Sequence, residues 1–162
     1  MNRGTALAIS LVVFGIDQLT KAVVLAMLDE QLPIVVTSFF NLVLVWNTGI
    51  SFGMLAGLGD RSSWVLIGVT ILIAAVVVVW LLRETATLPR LALALVLSGA
   101  IGNLIDRLRF GAVVDFLDFH LASYHWPAFN VADSAIVIGA GLLVVDGLLP
   151  RPSARVEVGE KR

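Results

Sequence analysis

The sequence contains no cysteine and little charge. Of its 162 residues, 14% are charged and 59% are hydrophobic, and the net charge is −1. Without cysteine the chain can form neither a disulfide nor a thiolate nucleophile, and it offers no thiolate to a metal ion. A net charge near zero without a long basic run gives no electrostatic reason to expect a nucleic acid partner.

The hydrophobic content exceeds the roughly 45–50% that is usual in soluble domains. A membrane-spanning helix needs ~20 apolar residues, and four segments meet that length. We therefore predict an all-α membrane protein with a single four-span domain over residues 1–150 and a polar cytoplasmic tail over 151–162. The predicted spans are 4–28, 64–82, 88–107 and 131–149.

The distribution of lysine and arginine predicts the orientation of these spans. No small-residue cleavage site follows the first apolar run, so we interpret it as a retained span. With four spans, seven basic residues lie on one side and three, Arg61, Arg107 and Arg109, lie on the other. Because basic loops stay in the cytoplasm, both termini are expected there.

Two connections are then expected at the outer face, residues 29–63 and 108–128. Within the first, Ser38 to Trp46 is rich in β-branched and aromatic residues and predicts a strand. The following stretch, residues 49–59, is typical of a short interfacial amphipathic helix. In the second, His120 and His125 make a zinc site conceivable, but two loop histidines without further ligands favour polar surface. No metal or cofactor is expected.

Ionisable groups within spans are costly and need a partner or a function. Asp17 and Lys21 are four residues apart, which places them on one helix face as an ion pair. Asn103 and Arg107 have the same spacing near the outer end of the third span. The preceding small residues, Ser98, Gly99 and Gly102, would let a neighbouring helix approach closely.

Two other acids favour local pairing rather than catalysis. Asp106 is expected to pair with Arg107 or Arg109, its neighbours in sequence. Asp146 lies near the cytoplasmic end of the fourth span, where headgroup water and Arg151 are in reach.

Asp133 stands at the outer end of the fourth span, and the second outer connection returns Asp115 and Asp118 to the same level. Two adjacent carboxyl groups cannot both ionise cheaply, so they share a proton and supply a base and an acid. That is the chemistry of aspartic peptide hydrolysis. Spacing does not choose between Asp115 and Asp118, and Asp133 could equally serve as a helix N-cap.

Five blocks of sequence, spread over nearly the whole chain, resemble the bacterial lipoprotein signal peptidase (signal peptidase II) family. Ser51 and Ser98 are small departures from the family pattern, which often has alanine and glycine at these positions. The blocks are DQLTK (17–21), NTGISF (47–52), SGAIGNLIDR (98–107), GAVVDF (111–116) and FNVAD (129–133).

The resemblance implies an aspartic endopeptidase of the bacterial inner membrane with its active site near the outer face. It would remove the signal peptide of a prolipoprotein before the diacylglyceryl-modified cysteine, as a monomer among membrane lipids and without a cofactor. The family motif implies that Asp115 and Asp133 are the catalytic pair. The supporting or substrate-binding positions that it implies are Asp17, Lys21, Asn47, Gly49, Phe52, Asn103, Arg107, Asn130 and Ala132.

Two alternatives remain at this stage. A small proton-coupled transporter or channel subunit would use Asp17, Asp133 and Asp146 as a relay, and a membrane scaffold would use its buried charges only for packing. Asp133 and Asp146 are separated by 13 residues, or ~20 Å of helix, with no ionisable residue between them. That gap disfavours a relay.

Overall fold

The structure of the chain is a computed structural model that describes residues 1–30, 32–49 and 61–149. The predicted interfacial helix, Phe52 and the polar tail lie outside these residues. Within them, four helices are long and apolar enough to cross a membrane, and a small antiparallel sheet accompanies them, so the predicted fold class is confirmed. The elements are α1 (Arg3–Met27), β1 (Ile34–Thr37), β2 (Phe40–Asn47), α2 (Arg61–Arg83), α3 (Thr87–Phe110), β3 (Val113–Leu121), β4 (Tyr124–His125) and α4 (Val131–Leu148).

Helix α3 is the central helix and packs against the other three. Its contact with α4 depends on glycine: a Cβ on Gly99 would lie 2.3 Å from the carbonyl oxygen of Ala132. On α4, a Cβ on Gly139 would lie 2.6 Å from the carbonyl oxygen of Ala92. Since neither backbone oxygen can move aside, only glycine permits this approach, as expected for small residues in membrane helices.

One end of the bundle joins the N-terminus to the α2–α3 connection. The Met1 ammonium donates to Thr87 Oγ1 at 2.7 Å, and the Arg90 guanidinium donates to the carbonyl oxygens of Met1 and Glu84. Helices α1 and α3 therefore begin at the same end. Their C-terminal ends meet the N-terminus of α4 at the opposite end, which is where the sheet lies.

The sheet has the strand order β1-β2-β3-β4, and all its neighbours are antiparallel. The predicted single strand from Ser38 to Trp46 is wrong at its start, because Ser38 and Phe39 form the turn between β1 and β2. The β-rich stretch begins earlier, at Ile34, and folds back on itself as β1 and β2. The polar residues Thr37 and Ser38 lie at the turn.

Strand β3 follows α3 almost directly. The helix ends at Gly111, whose φ of 73° is the left-handed conformation that glycine tolerates best. Val114 and Phe116 then pack with Val24 of α1 in an apolar cluster. Because side chains alternate along a strand, Asp115 projects from the other face of β3.

Replacing Gly99 with alanine should destabilise the bundle, because the new methyl group would collide with the backbone of α4. Overpacking of this kind typically costs ~1–3 kcal/mol. Gly141→Ala is the matched control, since a Cβ there meets nothing within 4 Å. We expect thermal unfolding in detergent to occur at a lower temperature for Gly99→Ala than for Gly141→Ala. Equal unfolding temperatures would contradict the close approach of α3 and α4.

Candidate active site

Asp115 is 1% exposed and accepts two side-chain hydrogen bonds. Asn47 Nδ2, at the end of the neighbouring strand, lies 2.9 Å from its Oδ2, and Asn130 Nδ2 lies 2.7 Å from its Oδ1. Gly49 N donates to Asn47 Oδ1 at 2.8 Å, which turns the amide so that its NH₂ group faces Asp115. Gly49 does so with a φ of 75°.

Burial raises the pKa of Asp115 to about 6 from the ordinary value of 3.8. The negative charge of Asp133 adds to the rise, while the hydrogen bonds from Asn47 and Asn130 oppose it. The Asp115 carboxyl therefore gains and loses a proton near neutral pH, as a general acid or base must.

Asp133 lies in the first turn of α4 and belongs to a capping box. The N-cap is Asn130, whose Oδ1 accepts from Asp133 N at 2.8 Å, while Asp133 Oδ2 accepts from Asn130 N at 3.2 Å. The interpretation of Asp133 as the N-cap is therefore wrong, because the N-cap lies three residues earlier, at Asn130. Its second oxygen, Oδ1, accepts from Asn103 Nδ2 at 2.7 Å.

Two asparagines connect the Asp115 and Asp133 carboxyls. Asn130 Nδ2 reaches Asp115 Oδ1 at 2.7 Å, Asn103 Oδ1 at 3.2 Å and the Val114 carbonyl oxygen at 3.3 Å. Its two amide protons serve three acceptors, and the shortest contact is the one to the carboxyl. Since Asn103 donates to Asp133, a continuous chain of amides runs from one carboxyl to the other.

Backbone pairing delivers Asn130 to this position. Phe129 N donates to the Leu117 carbonyl oxygen at 3.1 Å, and Leu117 N donates back to the Phe129 carbonyl oxygen at 2.8 Å. The segment entering α4 thus runs alongside β3, two residues beyond Asp115. Sequence spacing contained no signal for this pairing.

Arg107 lies beside the site on α3. Its Nη1 donates to the Asn103 carbonyl oxygen at 3.3 Å, and its positive charge is within electrostatic range of both Asp115 and Asp133. A Cβ on Gly49 would be 3.7 Å from Arg107 Nη2. The predicted residues Asn47, Gly49, Asn103, Arg107 and Asn130 are therefore brought together around the two carboxyls.

Asp118 occupies a separate cluster. His125 Nδ1 lies 2.9 Å from both its oxygens and Asn41 Nδ2 lies 3.0 Å from Oδ2. Burial acts to raise the pKa of Asp118, but the hydrogen bonds from His125 and Asn41 outweigh it and hold the pKa below its ordinary value. His120 stacks on His125 with 4.8 Å between ring centroids. In the described ranges no three or more acidic or histidine side chains are grouped to hold a metal ion.

The predicted ion pair of Asp17 and Lys21 is confirmed at 2.9 Å. The expectation for Asp106 is wrong: its carboxylate pairs with Lys21 at 2.8 Å, not with Arg107 or Arg109. This contact joins two helices, so neighbours in sequence could not reveal it. The proposed contact of Asp146 with residue 151 lies outside the described residues.

The fold and site define a multi-pass membrane protein in which asparagines link a buried carboxyl, Asp115, to a half-buried one, Asp133, at one end of a helix bundle. Residues 9–149 match the family model described as signal peptidase (SPase) II. The chain belongs to the signal peptidase II family, and the predicted resemblance is confirmed.

Several relatives named lipoprotein signal peptidase are similar over most of their length. The protein of Ralstonia nicotianae is 50% identical over 149 residues, covering 90% of this chain and 84% of the relative. That of Paraburkholderia phytofirmans is 49% identical over 144 residues, covering 88% and 83%. A bacterial membrane enzyme solved by the in meso method at 1.9 Å resolution has a TM-score of 0.82 at 30% identity, covering 91% of this chain and 95% of that one.

The chain is thus a member of a peptidase family, and its described residues include four helices long and apolar enough to cross a membrane. A second solved structure, also described as a bacterial membrane enzyme, has a TM-score of 0.79 at 31% identity. It covers 90% of this chain and 88% of that one.

Asn130 both caps α4 and donates a hydrogen bond to Asp115, and substitutions should separate these two roles. Asn130→Ser keeps a good N-cap, whereas Asn130→Ala loses it at a cost of ~1 kcal/mol. Both variants remove the amide donor that lowers the pKa of Asp115, so that pKa should rise above about 6 in each. Carboxyl titration by NMR or infrared spectroscopy measures the shift, and thermal unfolding measures the cap. An unchanged Asp115 titration in the serine variant would contradict the bridging contact.

Proposed function

We propose that the protein is an aspartic endopeptidase in which Asp115 and Asp133 form the catalytic dyad, cleaving a prolipoprotein before its diacylglyceryl-modified cysteine. The observation that supports this most strongly is the chain of asparagine amides that joins the two carboxyls. It connects the two acids through neutral hydrogen-bond donors. One proton shared by the pair then supplies an acid and a base in the same site.

The dyad would hydrolyse the peptide bond through a water molecule. The ionised carboxylate accepts a proton from water as the water oxygen attacks the scissile carbonyl carbon, while the protonated carboxyl donates a hydrogen bond to the carbonyl oxygen. The tetrahedral intermediate collapses, the C–N bond breaks, and the leaving amine takes a proton from a carboxyl. The positive charge of Arg107 is placed to favour the oxyanion.

Two apolar grooves on different faces of α4 support a substrate with two apolar parts. One, of about 400 Å³, runs from Asp133 and Trp126 along α4 to Ile138. The other, of about 260 Å³, lies between α2, α3 and α4 and reaches Asn103 and Arg107. A signal peptide helix and the acyl chains of a modified cysteine would each need such a surface.

The orientation of the site follows from the distribution of basic residues. Helix α1 begins and helix α4 ends at the end of the bundle opposite the dyad, and the sequence predicts that seven of the basic residues outside the spans belong to that side. The positive-inside rule assigns that end to the cytoplasm, so the dyad faces the outer side of the membrane, where lipidated prolipoproteins present the cleavage region.

Asp115→Asn and Asp133→Asn should each reduce cleavage of a lipidated prolipoprotein by purified protein in detergent by about 10³-fold or more, since each removes an acid–base group. Asp118→Asn is the matched control, a buried acid on the same strand with other partners, and should retain activity. Thermal unfolding checks that each variant is folded. Full cleavage by folded Asp115→Asn and Asp133→Asn would show that the dyad is wrong.

Asn47→Ala should move the pH dependence of kcat/KM. The Asn47 hydrogen bond lowers the pKa of Asp115, so its removal raises that pKa above about 6. The limb of the pH profile that reports Asp115 should therefore shift to higher pH, by roughly one to two units for a hydrogen bond to a charged group. A shift to lower pH, or no shift, would count against Asp115 as a titrating member of the dyad.

A further inference from the structure

A buried ion cluster lies behind the proposed dyad, at the junction of α1 and α3. Lys21 Nζ is 2.9 Å from Asp17 Oδ2 and 2.8 Å from Asp106 Oδ2, and the three side chains are 1–3% exposed. Burying such charges costs more than their attraction returns unless every group is satisfied. The contacts made by the remaining atoms therefore matter.

The two carboxylates hold the backbone next to each dyad residue. Asp17 Oδ1 accepts from Ala132 N at 2.9 Å, one residue before Asp133. Asp106 Oδ2 accepts from Val114 N at 3.2 Å, one residue before Asp115. Asp133 belongs to helix α4 and Asp115 to strand β3. The Lys21 ammonium is linked to α4 through the Asp17 carboxylate and to β3 through the Asp106 carboxylate.

A third contact from Lys21 sets the orientation of an amide. Lys21 Nζ donates to Asn103 Oδ1 at 3.2 Å, and Asn103 Nδ2 donates to Asp133 Oδ1 at 2.7 Å. An amide oxygen only accepts and its nitrogen only donates. The ammonium therefore holds the Asn103 NH₂ group towards Asp133. Its three protons match its three acceptors.

We propose that Lys21, Asp17 and Asp106 are positioning residues that fix the relative placement of Asp115 and Asp133 without contacting either carboxyl. This inference rests on the proposed aspartic mechanism and deepens it by assigning a role to Asp106. Reacting groups must be held to within about 0.5 Å, and supporting residues supply that precision.

Gly102 provides a way to disturb the cluster without changing a charge. A Cβ at this position would lie 2.5 Å from Asp17 Oδ2 and 3.3 Å from Ala132 Cβ. The Asp17 carboxylate would have to shift, which would lengthen its hydrogen bond to Ala132 N. Gly141→Ala is again the matched control, because the space around Gly141 is open.

The test measures kcat and KM for a lipidated prolipoprotein with full-length Asp106→Ala, Asp106→Asn, Gly102→Ala and Gly141→Ala. We expect kcat to fall by about 10- to 100-fold in Asp106→Ala and about 10-fold in Gly102→Ala, as misplacement near 1 Å does. KM should stay within about threefold of the unsubstituted protein. Asp106→Asn keeps an acceptor for Val114 N and should recover part of kcat.

A lower unfolding temperature with unchanged kcat per folded molecule would overturn the proposal, since the cluster would then serve only stability. A raised KM with unchanged kcat would also overturn it, because that pattern indicates substrate contact. If Asp106→Ala does not fold, Asp106→Asn and Gly102→Ala decide by the same criteria. An inactive Asp115→Asn beside fully active, folded cluster variants would refute the positioning role alone, whereas an active Asp115→Asn would refute the dyad itself.

Discussion

The pairing of buried charges around Lys21 determines how the helices meet at the site end of this bundle. A carboxylate or ammonium removed from water must be paired and hydrogen-bonded, or it destabilises the fold. Lys21 accordingly uses all three of its protons on Asp17, Asp106 and Asn103. The helices cannot shift relative to one another without breaking one of these contacts, so the same requirement that permits the charges also fixes the helix positions.

Asparagine supplies neutral hydrogen-bond donors to the two carboxyls of the site. Asn47, Asn103 and Asn130 each direct an NH₂ group at Asp115 or Asp133. A lysine in their place would favour the ionised form of both acids, and an apolar residue would leave the buried Asp115 carboxyl without its donors. Amide donors lower the pKa of Asp115 only in part, so burial still raises it to about 6. The site can thus bind and release a proton, as the proposed hydrolysis requires.

Much of the architecture could be predicted from local pattern. The length and apolarity of the four helices, the β-rich loop region and the Asp17–Lys21 pair all depend on residues close together in sequence. The errors arose where contacts are distant. The sequence predicts that Asp106 pairs with the nearby arginines, whereas it pairs with Lys21 of another helix. A capping box places two polar residues three positions apart, so from sequence alone Asp133 could serve as the N-cap. The structure shows that the N-cap is Asn130.

By itself the sequence determined the membrane class, the number of spans and, through five motif blocks, the family to which the chain belongs. These follow from composition and local order, which do not depend on how the helices pack. Only the tertiary structure decided that Asp115 shares Asn130 with the first turn of α4 while Asp118 turns to His125. It also decided that Lys21 is linked to the backbone beside both Asp133 and Asp115, through the carboxylates of Asp17 and Asp106. The physical reason is that these contacts join residues up to 115 positions apart, and packing alone sets such distances.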